Sequence, residues 1–321
     1  MSTFVVTNRL PETALELLRG AGEVRFSEAT TPLPRDELLE LVPGADALLT
    51  LLGDRVDEEL LAAAGTRLRC VANVAVGYDN VDLAAAARRG IVVTNTPGVL
   101  DDATADLTLA LLLAATRRLG EGERLIRSRR PWAWGMSFML GSDLRGKLLG
   151  IVGLGAIGAR VAERARAFGM EIGYCNRHEA PAAAALGAVR FELDELLAAA
   201  DVVSLHCPLT AETRHLIGAR ELGLMKPTAT LVNTARGPVV DEAALALALR
   251  DGEIAAAGLD VYEREPQVEP GLLELENVVL APHLGSATVE TRTAMAELAA
   301  RNAIAVVMDE RPRSPVDLPG S

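Results

Sequence analysis

The chain has 321 residues, of which 50% are hydrophobic and only 3% aromatic, enough for two domains with cores packed mainly by aliphatic side chains. Its 32 Lys and Arg residues and 44 Asp and Glu residues give a net charge of −12 at pH 7, which argues against nucleic-acid and anionic-membrane partners. The 3 cysteines are widely spaced without a CxxC pair, and neither a signal peptide nor a membrane-spanning run stands out. We therefore expect a cytoplasmic protein without a metal site or a disulfide framework.

The first hundred residues alternate between short apolar segments and amphipathic segments. The apolar runs predict strands, and the segments between them, several of which begin with Asp or Pro, predict helices. Alternation of this kind predicts a parallel sheet with helices on both faces. The predicted strands are 3–7, 47–52, 68–73 and 91–94, and the predicted helices are 11–20, 35–41, 57–64 and 82–89.

The remainder of the chain opens with a long predicted helix over 102–118, which has Asp at its start and Arg at its end, as the helix dipole favours. A loop rich in Arg, Trp and Met follows, and a second alternating series begins at Lys147. A final helix over 289–308 and a Pro-rich terminal coil close the chain. The predicted strands of this part are 148–152, 171–175, 202–205, 230–233, 256–259 and 278–280.

The first strand of this second series ends in three glycines with the spacing GxGxxG, and a helix-prone segment follows directly. Gly153 allows a tight turn, Gly155 lets the backbone approach a phosphate, and Gly158 lets helix and strand pack closely. The amide groups of Ala156 and Ile157 then face an anion at the positive end of the helix. The pattern predicts a dinucleotide site in the second half of the chain.

The next predicted strand ends in Asn176 and Arg177, where an NAD site usually places Asp or Glu. A carboxylate at this point binds the ribose hydroxyls, whereas an arginine suits a 2′-phosphate because it brings positive charge and paired donors. We therefore predict NADP(H) in preference to NAD(H), with Asn176 and Arg177 as the selecting residues.

Three polar residues follow three successive predicted strands of the second half: Arg236, Glu265 and His283. An arginine can clamp a carboxylate with two donors, and a histidine can protonate a carbonyl oxygen. A glutamate can orient that histidine and favour its protonated form. Together the three predict hydride transfer to a 2-oxo acid. Taken singly, Arg236 could instead pair with an Asp, Glu265 could cap a turn, and His283 could be a structural histidine.

These observations predict an α/β fold of two doubly wound parallel-sheet domains with a ligand cleft between them. Residues 1–100 and 285–321 are expected to form a flavodoxin-like substrate-binding domain. Residues 101–284 are expected to form a Rossmann dinucleotide-binding domain.

The chain resembles the D-isomer-specific 2-hydroxyacid dehydrogenase family over nearly its whole length, and within it the glyoxylate and hydroxypyruvate reductases. The resemblance implies the same roles for Arg236, Glu265 and His283, and binding of the substrate carboxylate by the amides of Val76 and Gly77. The segments that carry it are NVAVGYDNVD at 73–82, TADLTLALLL at 104–113, GLGAIG at 153–158, HCPLTAETRHLI at 206–217, NTARG at 233–237, LDVYEREP at 259–266 and APHLGSAT at 281–288.

The resemblance also assigns residues around the cofactor and the substrate. Trp134 belongs to a loop that in relatives reaches an active-site mouth, with interface packing as the alternative. This chain has Met136 and Ser137 where such reductases often carry Pro. The expected cofactor contacts are Thr104, Cys207, Pro208, Thr213, Thr234, Ala235 and Asp260, and the expected substrate contacts are Leu52, Val76, Gly77, Arg236 and Trp134.

The function that we predict is NADPH-dependent reduction of glyoxylate or hydroxypyruvate to the D-2-hydroxy acid, by a homodimer that associates through residues 119–144. One alternative is a dehydrogenase of another acid, such as 3-phosphoglycerate or phosphite, for which no extra basic pocket is evident. A second is a cofactor-sensing protein without turnover, like transcriptional co-repressors of similar sequence. The complete Arg236, Glu265 and His283 set weakens that second alternative.

Overall fold

The computed structural model describes residues 2–319 and divides the chain into two compact units. The first unit contains the chain up to Leu100 and again from Ala287 onwards, and the second unit is Asp101–Ser286. Each unit has its own parallel sheet, so the predicted fold class of two parallel-sheet α/β domains is confirmed. The second boundary falls between Ser286 and Ala287, where the sequence predicts it between residues 284 and 285.

The first unit is a parallel sheet with helices packed against it. Its elements are β1 (Thr3–Val6), α1 (Glu12–Arg19), β2 (Glu23–Phe26), α2 (Arg35–Leu41), β3 (Ala47–Thr50), α3 (Glu58–Ala64), β4 (Cys70–Asn73), α4 (Leu83–Arg88), β5 (Val92–Thr94) and α13 (Val289–Val307). The strand order is β2-β1-β3-β4-β5. Strands β1, β3 and β4 are buried along their whole length, which explains their continuous apolar sequences.

The last helix of the chain completes this first unit. Helix α13 packs against β3, β4, β5 and α1. After it, the chain returns to the sheet, where Pro315 bridges to Thr94 and the amide of Val316 donates to the carbonyl of Val93. The first sheet is therefore completed by residues from the far end of the sequence.

The second unit is a seven-stranded parallel sheet with helices on both faces. Its strand order is β12-β11-β10-β9-β6-β7-β8, which reverses direction at β6, and in such sheets ligands bind at the carboxyl ends of the strands beside that reversal. No helix among residues 2–319 is long and apolar enough to cross a membrane. The elements are α5 (Asp101–Thr116), α6 (Leu119–Arg127), β6 (Leu148–Val152), α7 (Ala156–Ala167), β7 (Glu171–Cys175), α8 (Ala183–Leu186), β8 (Val189–Arg190), α9 (Leu193–Ala199), β9 (Val202–Leu205), α10 (Ala219–Leu224), β10 (Thr230–Asn233), a 3-10 turn (Gly237–Val239), α11 (Glu242–Asp251), β11 (Ala256–Leu259), α12 (Pro270–Leu273) and β12 (Val278–Leu280).

The helix predicted over 102–118 is shorter than expected and is followed by a second helix. Helix α5 ends at Thr116, because Arg118 adopts a left-handed backbone with φ 55° that no α-helix can contain. Helix α6 then begins at Leu119, in a region predicted as loop. Helix α5 packs against α7, β10 and β11, close to the glycine-rich turn and the strand ends that carry the polar residues.

Candidate functional site

The glycine-rich turn joins β6 to α7, and the protein's own backbone requires two of its glycines. Gly153 has φ +99°, and a Cβ atom on it would lie 2.6 Å from the amide nitrogen of Cys207. A Cβ atom on Gly158 would lie 2.5 Å from the carbonyl oxygen of Gly153. Both distances are below any real carbon contact, so only glycine permits this approach of strand, turn and helix.

Gly155 differs, because nothing in the protein requires a glycine there. Its φ of −92° is accessible to other residues, and a Cβ atom on it would meet no atom within 4 Å. It is the N-cap of α7 and offers no side chain to the amides of the first turn, which include those of Ala156 and Ile157. Open space before a helix N-terminus suits a dinucleotide pyrophosphate, so this turn fits such a cofactor.

The loop after β7 holds both residues that were predicted to select the cofactor. The amide of Leu154 donates to Asn176 Oδ1 at 2.7 Å, and Asn176 Nδ2 donates to the carbonyl of Leu154 at 3.5 Å. The Asn176 side chain thus fastens the glycine-rich turn. Arg177 is exposed. A second arginine, which the sequence analysis missed, reaches the same loop: Arg190 Nη2 donates to the carbonyls of Asn176 at 3.0 Å and Arg177 at 3.2 Å.

The three polar strand-end residues lie together. His283 Nδ1 is 2.8 Å from Glu265 Oε2, and the amide of Tyr262 donates to Glu265 Oε1 at 3.1 Å. Burial alone would raise the pKa of the Glu265 carboxyl, but the bond and charge of His283, the Tyr262 amide and the charge of Arg236 lower it overall. Glu265 is therefore a carboxylate at neutral pH, with an imidazole directly against it and a guanidinium close enough to affect its titration.

Asp260 fixes the backbone that carries His283. Its carbonyl accepts the His283 amide at 2.8 Å, and its carboxylate accepts the amides of Leu284 at 2.6 Å and Gly285 at 2.8 Å. The side chain is almost fully buried, and this burial raises the pKa of the Asp260 carboxyl despite the two amides that oppose the shift. His283 adopts φ 55°, a left-handed conformation that costs a non-glycine residue energy and that these bonds hold in place.

Tyr262 and Gly237 are two structural contributors that the sequence analysis did not single out. Tyr262 Oη donates to the carbonyl of Ala281 at 2.9 Å, which ties the loop of Glu265 to the loop of His283. A Cβ atom on Gly237 would lie 1.8 Å from the carbonyl carbon of Tyr262, so these backbones touch. The glycine after Arg236 in the NTARG segment was the available signal for this close approach.

The other expected cofactor contacts of the second unit lie in α5 and after strands β9 and β10. Thr104 Oγ1 donates to the carbonyl of Gly285 at 3.2 Å, and Thr234 Oγ1 lies 2.9 Å from Thr108 Oγ1. The remaining members follow β9 and β10: Thr213 Oγ1 donates to the carbonyl of Pro208 at 2.7 Å, the amide of Ala235 donates to Asn233 Oδ1 at 3.0 Å, and burial raises the pKa of the Cys207 thiol to about 11.

His206 also follows β9 and was not singled out from the sequence. Its Nε2 lies 2.8 Å from Ser204 Oγ, and burial lowers the pKa of its imidazole to about 4. His206 is therefore neutral at physiological pH. It packs beside Gly153, since the His206 carbonyl carbon is 2.7 Å from the position of a Cβ on that glycine.

The expected substrate contacts of the first unit follow β3 and β4. Leu52 is half-buried. Asn95 Nδ2 donates to the carbonyl of Val76 at 2.8 Å, and Asn73 Nδ2 donates to the carbonyl of Gly77 at 2.9 Å. The amides of Val76 and Gly77 donate to no protein group among residues 2–319. Two fixed, unused amides of this kind suit a carboxylate ligand.

Trp134 lies on the loop between α6 and β6, and 77% of its surface is exposed. Trp132 on the same loop stacks on Phe138 with ring centroids 5.9 Å apart. Met136 and Leu140 are also exposed. In the part of the chain that the structure describes, no hydrogen bond or ring contact joins Trp134 to Arg236 or to the other strand-end residues, so this loop forms a separate apolar surface.

Open space at a glycine-rich turn, with an imidazole against an ionised glutamate at strand ends of the same sheet, is typical of a dinucleotide-dependent oxidoreductase. Comparison with known proteins agrees, since residues 109–285 match the family model described as D-isomer specific 2-hydroxyacid dehydrogenase, NAD binding domain. The chain belongs to the D-isomer-specific 2-hydroxyacid dehydrogenase family, and it is an oxidoreductase, as its sequence predicts.

Individual relatives are similar over almost the whole chain. A glyoxylate reductase from Thermococcus litoralis is 50% identical over 96% of this chain and 94% of its own length. A crystal structure of a Thermus thermophilus protein has 48% identity and a TM-score of 0.91, covering 98% of this chain and 100% of that one. An NADPH-dependent glyoxylate/hydroxypyruvate reductase from Sinorhizobium meliloti, in complex with NADP and malonate, has 36% identity and a TM-score of 0.85, covering 98% and 96%.

Proposed function

We propose that this protein reduces a small 2-oxo acid, glyoxylate or hydroxypyruvate, to the D-2-hydroxy acid with NADPH. The observation that carries the proposal is the 2.8 Å contact between Glu265 and His283, with the charge of Arg236 acting on the same carboxylate. The similarity to a glyoxylate reductase from Thermococcus litoralis and to a glyoxylate/hydroxypyruvate reductase from Sinorhizobium meliloti supports the substrate class.

In the proposed reaction each of the three side chains has one task. Arg236 binds the substrate carboxylate and draws electron density from the neighbouring carbonyl. His283 Nδ1 faces Glu265, so the proton for the substrate is held at Nε2 and passes to the carbonyl oxygen as negative charge develops there. A nicotinamide cofactor, held by the glycine-rich turn, would supply the hydride for the carbonyl carbon. Glu265 stays ionised, because its pKa is lowered, and it fixes the orientation of the imidazole.

We also propose that the second unit binds the cofactor and that Arg177 favours NADP(H) over NAD(H). The open space at Gly155 and the exposed guanidinium of Arg177 support this, as does the NADPH dependence named for the Sinorhizobium meliloti relative. The first unit is then the substrate-binding domain. Proposed cofactor contacts are Thr104, Gly153, Gly155, Ala156, Ile157, Gly158, Asn176, Arg177, Cys207, Pro208, Thr213, Thr234, Ala235 and Asp260, and proposed substrate contacts are Leu52, Val76, Gly77, Trp134 and Arg236.

The test is a matrix of initial rates. Glyoxylate, hydroxypyruvate, pyruvate and phosphohydroxypyruvate are each offered with NADPH and with NADH, and loss of reduced-nicotinamide absorbance is followed. We expect the highest kcat/KM for glyoxylate or hydroxypyruvate with NADPH. Faster turnover of phosphohydroxypyruvate would refute the proposed substrate class in favour of a phosphorylated acid. Tight NADPH binding without any turnover would favour a cofactor-sensing protein.

We propose that the protein is a cytoplasmic homodimer that associates through residues 119–144, where α6 and the loop after it expose apolar side chains. Leu119, Ile126, Trp134 and Met136 expose more than half of their surface in the single chain, and exposed apolar side chains grouped in this way are typical of association surfaces. Size-exclusion chromatography with light scattering is expected to give twice the 33.9 kDa chain mass. A monomer at assay concentration contradicts the proposal.

A further inference from the structure

We infer that Arg190 is a second determinant of cofactor choice. It positions the loop that contains Asn176 and Arg177, here called the selecting loop, and adds positive charge for the 2′-phosphate. This inference rests on the proposed preference for NADP(H). Arg190 is the last residue of β8 and pairs with Tyr174 of β7 in the parallel sheet. Because parallel strands end at the same edge, its side chain lies beside the loop that holds Arg177.

The contacts of Arg190 give that loop one fixed path. Arg190 Nη2 donates to the carbonyls of Asn176 at 3.0 Å and Arg177 at 3.2 Å, and the Arg190 side chain makes no other hydrogen bond within residues 2–319. On the other side, the Asn176 side chain is bound to the backbone of Leu154. The Asn176 side chain is thus held by the glycine-rich turn, and we infer that Arg190 acts beside Arg177 in selection.

A carboxylate, that of Glu212, lies close enough to Arg177 for its pKa to be affected by the arginine's charge. A hydrogen bond from Thr210 is the main cause that lowers the pKa of the Glu212 carboxyl, and the positive charge of Arg177 contributes to the same shift. Glu212 and Arg177 therefore interact across two neighbouring loops. The Glu212 carboxylate offsets part of the attraction between Arg177 and a phosphate, and the charge of Arg190 adds to that attraction.

The charge of Arg190 reaches the end of β7. Burial raises the pKa of the Cys175 thiol, Glu192 raises it further, and Arg190 lowers it. Cys175 is the residue directly before the selecting loop. Arg190 therefore opposes Glu192 at this point of the sheet edge, as it is inferred to oppose Glu212 for the phosphate.

The experiment measures phosphate recognition without catalysis. Adenosine 2′,5′-bisphosphate and adenosine 5′-monophosphate, which differ only in the 2′-phosphate, are titrated into the full-length protein by calorimetry. We expect Arg190→Ala to weaken the bisphosphate by about three- to tenfold, as suits an exposed charge near a dianion, and to leave the monophosphate unchanged. Arg190→Lys keeps the charge and loses the paired donors of the guanidinium, so its affinity for the bisphosphate is expected to lie between those of the unmodified protein and Arg190→Ala. The weakening should shrink in high salt.

Arg166→Ala is the matched control, because Arg166 also donates to one carbonyl, that of Ala185, at 3.2 Å and lies at the end of α7. It should alter neither affinity. If Arg190→Ala does not fold, as judged by circular dichroism, Arg190→Gln retains a donor for one carbonyl and replaces it in the test.

Three outcomes overturn the inference, and they are distinguishable. Equal affinity of the unmodified protein for both nucleotides refutes the proposed NADP(H) preference and the inference with it. Discrimination that is lost in Arg177→Ala but kept in Arg190→Ala refutes the role of Arg190 alone. Equal weakening of both nucleotides by Arg190→Ala shows that the side chain only supports the sheet edge.

Discussion

Substitution of Gly155 by alanine is expected to weaken cofactor binding while leaving the fold intact. Gly155 has an ordinary φ of −92°, and its new Cβ would meet no protein atom within 4 Å. A more restricted unfolded chain and a poorer N-cap act in opposite directions, so the free energy of unfolding should change by less than about 0.5 kcal/mol.

The effect on binding follows from the same empty space. A methyl group there occupies the position that the pyrophosphate needs, and it removes at least one hydrogen bond between a first-turn amide and an ionised oxygen. Such a bond contributes about 1.5–3 kcal/mol, so the affinity for NADPH should fall by about ten- to 150-fold.

Gly158→Ala is the contrasting variant. Its Cβ would lie 2.5 Å from the carbonyl oxygen of Gly153, which forces strand and helix apart and should reduce the free energy of unfolding by about 1–3 kcal/mol. Urea unfolding followed by circular dichroism measures stability, and titration calorimetry measures NADPH binding. Undiminished NADPH affinity in Gly155→Ala refutes the assignment of this space to the cofactor, and a stability loss equal to that of Gly158→Ala refutes the geometric argument.

The remaining predictions concern three polar side chains. His283→Ala should lower kcat by about 100- to 10,000-fold with cofactor affinity retained; His215→Ala, the same change at a second His–Glu pair with a 3.1 Å contact, is the control, and an equal loss in both refutes the specific role. Arg236→Ala should lower kcat/KM for the 2-oxo acid by about 100-fold, and an unaltered value excludes the clamp. Folding lowers the pKa of His206 from 6.5 to about 4, so between these pH values the unfolded chain binds a proton at His206 that the folded protein does not. The contribution of neutral His206 to the free energy of unfolding is therefore complete above pH 6.5 and is lost as the pH falls towards 4. From pH 7 to pH 5 the protein should lose about 2 kcal/mol more than His206→Gln in urea unfolding, and identical pH profiles contradict a buried neutral imidazole.

The buried strands could be predicted because a parallel sheet covered on both faces leaves a continuous apolar run in the sequence, as in β3 and β9. Two edge strands leave no such run. Strand β2, with the sequence EVRF, alternates charged and apolar residues, and β8 contains only Val189 and Arg190. Helix α6 was missed because its glycines and arginines resemble a loop, while its packing against α5 and the hydrogen bonds from Arg124 to Glu276 depend on the fold.

Site positions could be predicted more readily than site contacts. Glycines at a strand–helix junction and polar residues after strands follow from chain order alone. The hydrogen bond from Leu154 to Asn176 and the reach of Arg190 into the selecting loop depend on which strands are neighbours, and the sequence does not define that order. The left-handed backbone of His283 is likewise imposed by the distant Asp260.

The discontinuity of the first unit sets the order in which a nascent chain can mature. The second unit, Asp101–Ser286, is continuous and can finish folding as soon as it has left the ribosome. The first sheet emerges earlier, but α13, which packs against β3, β4 and β5, is synthesised only near the end of the chain. The second unit can therefore complete its folding before the first, although the first is synthesised earlier. A chain that stalls before residue 289 lacks α13, so the apolar sheet face that α13 covers stays exposed to chaperones.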